Sequence, residues 1–202
     1  MKKITYFIIF AVISSIVYTN PIQWRTLKSI GFSMQIPMTW SDVSEEEFHD
    51  NLQRVKFESA TFTKLIRENK EIPLISLRRG DSDSEEFLTT INVKLQANNL
   101  EFRNIPNTLR KLLFYVSLQL KNFDYLIEPK TVRINGKLAG YSLFSYKMIN
   151  ENGDEKKVFS AIWIFPFKEY YYFIGTAIPH DDFEPILEEI KTIINTVKID
   201  SK

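Results

Sequence analysis

His180-Asp181-Asp182, directly after Pro179, places one imidazole beside two carboxylates. Nitrogen and oxygen ligands of this kind can hold a divalent cation. The same position has a plainer use. It lies between an apolar run and an amphipathic one, so Asp181 or Asp182 can cap the helix that follows. A cap there satisfies free amides and complements the helix dipole, for about 0.5–2 kcal/mol. Capping is the expectation. His49 stands four residues after Glu45, which puts both on one helix face as an exposed pair. Neither histidine sits in an H-E-x-x-H spacing. Asp81, Asp83 and Glu85 alternate after Arg78-Arg79-Gly80. The run lacks the central glycine and closing bidentate glutamate of a calcium loop, so it reads as a solvated hairpin loop that could meet a partner.

Other chemistries lack their parts. There is no cysteine, which removes thiolate nucleophiles, disulfides and cysteine-ligated metals together. There is no G-x-S-x-G and no Ser-x-x-Lys. A serine triad assembled in space would need one of only two histidines. The six glycines are dispersed and form no phosphate-binding loop. No residue is therefore assigned as catalytic, cofactor-binding or metal-ligating, and no cofactor is expected. The aromatic residues are many: 16 Phe, 9 Tyr and 3 Trp. Trp163-Ile164-Phe165-Pro166-Phe167 and Tyr170-Tyr171-Tyr172-Phe173 fall on adjacent predicted strands. Core packing is the first reading of them, with surface recognition or an apolar ligand pocket as alternatives.

Those residues need elements to hold them. Gly31 to Ile36 alternates as a short strand stopped by Pro37, with Trp40 just beyond. Ser44 and Glu47 form a capping-box pattern that starts a helix over about 45–54, with Phe48, Leu52 and Val55 on one face. Ala60 to Glu68 is helical or irregular. Ile72–Leu77 and Leu88–Leu95 read as antiparallel strands joined by the polar 78–86 loop. Leu109, Leu112, Leu113, Val116 and Leu120 fit one helical stripe, with Lys121-Asn122 at its C-terminus. Asn135-Gly136 signals a hairpin between Thr131–Ile134 and Ala139–Ile149. Lys156–Phe165 and Tyr170–Ile178 follow, with Asn152-Gly153 and 166–169 as turns. These last strands carry apolar residues on both faces, so both faces must be covered. A helix over about 182–197, with Phe183, Leu187, Ile190, Ile194 and Val197 in one stripe, supplies one cover and the Leu109 helix the other. The expected class is α+β: an α/β/α sandwich with a central, mainly antiparallel sheet flanked by helices.

The N-terminus bears on compartment. Met1-Lys2-Lys3 precedes an uncharged run from Ile4 to Tyr18, and the next charge is Arg25. Residues 1–19 read as a signal peptide, with a poor cleavage site at Val17-Tyr18-Thr19, or as an uncleaved anchor. Residues 20–30 read as a linker and 31–202 as a single domain. Without residues 1–19 the balance becomes 24 basic against 25 acidic residues. A near-neutral body argues against a nucleic-acid footprint, which would require a basic face.

Gly31-Phe32-Ser33-Met34-Gln35-Ile36-Pro37 with Trp40 resembles the opening of the PsbP-like superfamily. Val132-Arg133-Ile134-Asn135-Gly136-Lys137-Leu138-Ala139-Gly140-Tyr141 and Tyr171-Tyr172-Phe173-Ile174-Gly175-Thr176-Ala177 resemble its middle and its last strand. The likeness spans about residues 31–199 and consists of core and turn patterns. That superfamily includes the extrinsic photosystem II subunit, a Ran-binding nuclear import factor and bacterial envelope proteins. The resemblance implies an α/β/α sandwich that works by binding another protein. The N-terminus differs from a transit peptide, and no photosystem-docking or manganese-associated residue is matched. The expectation is a non-enzymatic exported protein, periplasmic, secreted or anchored in the inner membrane by residues 4–20. It would bind an unknown protein partner or serve an envelope complex. A small apolar-ligand carrier with an aromatic-lined cleft is the alternative, and a hydrolase of undetected type a remote one.

Overall fold

Asn135 and Gly136 both take left-handed backbone angles, φ 47° and 77°. This is the geometry of a type I′ two-residue turn, whose twist matches the strands it joins. It connects β6 (Lys121–Ile134) to β7 (Lys137–Ile149). The computed structural model describes residues 22–27, 31–54, 57, 59–68, 71–80, 88–97, 104–149, 153–179, 181 and 183–200. The 1–19 segment, Val55, the 81–86 acidic loop, His180 and Asp182 lie outside the described residues.

β8 (Glu155–Phe167) and β9 (Tyr170–Ala177) continue the antiparallel meander. The remaining strands are β3 (Trp40–Asp42), β4 (Ile75–Arg79) and β5 (Thr90–Ala97). β5 pairs antiparallel along the whole of β9, which joins the two meanders into one seven-stranded sheet of order β3-β4-β5-β9-β8-β7-β6. α3 (Ile105–Ser117) covers one face, its Ile105, Leu109 and Leu113 buried against Phe144, Ile162, Ile164 and Tyr171. Each such side chain gains about 1.5–3 kcal/mol by leaving water. α4 (Glu184–Ile194) covers the other face with Ile186, Leu187, Ile190, Ile193 and Ile194. α1 (Glu45–Arg54) and α2 (Ala60–Glu68) lie at the β3–β4 end and bury no residue fully. The fold is α+β, helices on both faces of an antiparallel sheet.

α4 shares its face with a second sheet that the sequence reading lacks. β1 (Ile22–Leu27), β2 (Phe32–Pro37) and β10 (Lys198–Ile199) form it in the order β1-β2-β10. Phe32, Met34 and Ile36 of β2 are fully buried in the main core. Residues 22–27, read as linker, are thus a strand held by pairing to β2.

Other boundaries move for identifiable reasons. Lys121 and Asn122 open β6 rather than close α3, and Asn122 takes φ 52° as the chain reverses. β4 begins at Ile75, with Arg78 and Arg79 inside it. The last turn shortens to Lys168-Glu169, Lys168 at φ 54°, while Pro166 stays in β8 opposite Tyr171. α4 ends at Ile194, and Val197 is buried beyond it. Phe183, not Asp181, takes the N-cap position of α4, with no side-chain cap bond. Asp181 is exposed.

Lys121 and Lys147 face each other in the β6–β7 register, a like-charge pairing that is unfavourable alone. Glu155 offsets it, receiving Lys121 Nζ at 2.7 Å and Lys147 Nζ at 2.6 Å. The hydrogen bond from Lys121, then that from Lys147, holds the Glu155 carboxyl down at about 2. Its stabilising contribution is therefore complete above the ordinary carboxylate value and lost as pH falls through about 2. A carbon-13 NMR titration should place the Glu155 midpoint near pH 2; a midpoint at the ordinary 4.5 would break this assignment.

Candidate docking surface

Most of the strand aromatics predicted as core are core, with Phe167 and Phe173 partly buried and Tyr170 44% exposed. Trp163, Phe165 and Tyr172 are at most 2% exposed and pack among β2 and α4. Tyr141 stacks on Trp163 with ring centroids 5.1 Å apart. Burial, then the nearby Glu188 charge, pushes the Tyr141 hydroxyl up to about 12. Burial likewise raises Tyr171 and Tyr172. A general base needs its pKa near the working pH, so these phenols shift away from such a role.

The candidate chemistry is dispersed. Glu45 and His49 share α1, as the spacing predicts; Glu45 is exposed and His49 is half-buried with its ring edge-on to Phe48 at 6.0 Å. No hydrogen bond joins His49 to a described serine or threonine. Among the described residues, no three of His, Cys, Asp or Glu gather where a metal could sit. Among the same residues, no helix is long and apolar enough to cross a membrane.

A concave feature lies elsewhere, where β1 approaches the β3 edge. A cleft of about 400 Å³ is lined by Arg25, Asp42, Phe48, Ile72, Leu74 and Ser76, with their chain neighbours. Ser44 starts α1 as the sequence predicts, its Oγ accepting the Glu47 amide at 3.1 Å. The reciprocal half of the capping box is replaced: the Glu47 carboxylate pairs with Arg78 of β4 and so pins α1 to the sheet. Arg25 crosses from β1 side-on to Asp42, Nε to Oδ1 at 3.0 Å and Nη2 to Oδ2 at 2.6 Å. Asp42 is 62% exposed, so the pair orients the rim and adds only about 0.2–1 kcal/mol. Leu74 N donates to Val93 O at 2.7 Å, and Val43 N to Ser76 O at 2.9 Å. These bonds fix the walls while Ile72 and Leu74 keep their side chains 44% and 42% exposed.

Ser44 and Ser76 are committed, Ser76 Oγ to Asn92 Oδ1 at 2.7 Å, and no histidine lines the cleft. The arrangement offers two carboxylates, one guanidinium and an apolar rim: recognition groups, with no nucleophile–base pair. Phe48 is its single aromatic, so it is not the aromatic-lined pocket considered from sequence. Sequence reasoning missed this site because Arg25 fell in a supposed linker and Ile72–Leu74 in a supposed strand.

Neither a family model nor a curated protein matches the sequence. Solved structures do match in shape. Mog1p, a Ran-binding protein of Saccharomyces cerevisiae, superposes with a TM-score of 0.53 at 12% identity, covering 90% of this chain and 96% of its own. LpqN, described as involved in cell envelope biogenesis of Mycobacterium tuberculosis, gives 0.55 at 14% identity, covering 90% and 93%. Cyanobacterial PsbP from Synechocystis gives 0.50 at 9% identity, covering 91% and 95%. With its antiparallel sheet closed by α3 on one face and α4 on the other, this chain has the PsbP/Mog1-like fold.

Proposed function

We propose that this chain is a non-enzymatic, exported binding or accessory protein of a cell-envelope complex, and that it takes a protein partner at the β1–β3 cleft and the adjoining α1–α2 hairpin. The observation that carries the reading is that α1 and α2 have apolar stripes yet bury no residue fully. Amphipathic helices in a folded domain normally spend that stripe on the core. Here it is spent only in part, beside a cleft rimmed by Ile72 and Leu74. Apolar anchors within a polar rim are the composition of protein-binding patches.

The fold relatives lend support: one is described as Ran-binding and one as involved in envelope biogenesis. The basic, then apolar, N-terminal sequence supports export, with the mature protein periplasmic, secreted or anchored by residues 4–20. The near-neutral charge speaks against nucleic acid. The carrier reading is weaker, because the aromatics that would line its pocket fill the core.

The test is a cross-linked pull-down from envelope extract using the full chain and its Ile72→Asp/Leu74→Asp variant. A reproducible partner whose recovery falls about tenfold or more in the variant is expected, since both side chains stand exposed at the rim. No reproducible partner, together with turnover of some substrate, would overturn the reading.

A further inference from the structure

α3 turns Ile105, Leu109 and Leu113 to the sheet, so its opposite face meets solvent. That face carries Phe114, Tyr115 and Leu118, exposed by 55%, 72% and 64%. The spacing i, i+1, i+4 gathers them on one side. The Phe114 and Tyr115 rings lie edge-on, 5.6 Å apart. Arg110 and Lys111, one turn earlier, are exposed on the same side. From Asn104 to Phe123 the chain holds no carboxylate, and of its cations Arg110, Lys111 and Lys121 the last is paired with Glu155. Arg110 donates to Asn107 Oδ1 at 2.7 Å. It also lies 3.7 Å from Glu128 Oε2, with both side chains at least half exposed, which leaves its charge available.

Bulky apolar side chains beside exposed cations on a convex helix fit one kind of surface. A protein contact would deplete lysine, and Lys111 stands one turn before Tyr115. A bilayer interface takes both: aromatics at headgroup depth and cations against lipid phosphates. We propose that this face of α3 docks on an anionic lipid bilayer, with Phe114, Tyr115 and Leu118 seated among the headgroups and Arg110 and Lys111 against their phosphates. This interaction is separate from the cleft and stands whether or not a protein occupies it.

The chain has no cysteine, so a single introduced thiol reports unambiguously. Full-length Tyr115→Cys is labelled with nitrobenzoxadiazole, and Met38→Cys serves as the control. Met38 is 64% exposed on the β2–β3 turn, on the side of the sheet away from α3. The expected result is a blue-shifted, brighter emission at 115 on vesicles of equal phosphatidylglycerol and phosphatidylcholine. Neither pure phosphatidylcholine vesicles at 115 nor any vesicle at 38 should reproduce it. Adding Arg110→Gln and Lys111→Gln should weaken the anionic-vesicle response by about thirtyfold, at one lipid-attracted charge each. Equal responses at 38 and 115, as tethering through residues 4–20 alone would give, overturn the proposal. So does indifference to lipid charge. A shift at 115 caused by lipid-free envelope proteins and not by vesicles would assign the face to a protein and also overturn it.

Discussion

Trp40→Ala should cost about 3–5 kcal/mol of folding stability, read as a lower urea midpoint. Trp40 is 1% exposed, although it sits in a three-residue strand at the sheet edge. Its ring packs in the core cluster that joins β2, β4 and α4. Its indole Nε1 donates to Glu189 Oε1 at 2.8 Å, and Arg79 Nε donates to the other oxygen at 2.8 Å. Alanine therefore opens a cavity and strips one of two donors from the Glu189 carboxylate. Small domains hold only about 5–15 kcal/mol in total, so roughly a fifth or more of the reserve goes at one position. Trp40→Phe isolates the hydrogen-bond loss, since it keeps most of the ring and loses the N–H, and the further drop from Phe to Ala reads the packing. An unchanged midpoint in Trp40→Ala, as expected for the exposed Met38→Ala, would mean that the edge of the sheet is not anchored through this residue. The cleft depends on that anchor, because Asp42 belongs to the same strand.

Much of this scaffold is legible in the sequence. Asn135-Gly136, the Leu109 stripe and the double-sided apolar strands were legible because each pattern has one physical solution. Only residues tolerant of positive φ make that turn, and only a sheet covered twice hides Tyr172 and Ile174 on one face while Tyr171 packs on the other. β1 was not legible, since Ile22 and Trp24 stay 60% and 45% exposed and its support comes from pairing with a distant partner. The first ten residues of β6 were hidden by Pro129, which ordinarily argues against a strand. The structure accommodates Pro129 at the sheet edge, where the β6–β7 register shifts between Ile127 and Lys130.

The candidate site was harder to read for the same reason. A cleft is a relation between surfaces, and its lining residues come from β1, the start of α1 and the 72–76 segment. Among them only Ser44 carries a local signature, and that signature marks a helix start and not a cleft. Local reasoning found Ser44 as a cap because capping is decided within four residues, and failed at Asp181 because α4 starts with Phe183 and Pro185 instead. The apolar side chains at 72, 74, 114, 115 and 118, which carry no chemistry of their own, are among those the core leaves unspent.

The position of α3, and with it the exposed Phe114–Leu118 face, rests on the absence of one methyl group. Gly140 lies in β7, opposite Ile164 of β8, beneath the first turn of α3. A Cβ there would stand 2.7 Å from Ile105 Cγ2 and 2.7 Å from Ile164 Cγ1. Neither atom is the free end of a long side chain, and both residues are buried in the α3 core. Gly140→Ala should therefore cost about 1–3 kcal/mol by overpacking, with α3 lifting at its N-terminus. A double-mutant cycle separates this from a general loss of strand stability. Ile105→Ala alone should cost about 2–5 kcal/mol through its cavity. Joined to Gly140→Ala, it should cost at least about 1 kcal/mol less than the two summed, because the new methyl partly fills the vacated space. Strict additivity would mean that the helix does not rest on this glycine. Sub-additivity would show that helix and strand approach each other as closely as a bare Cα allows.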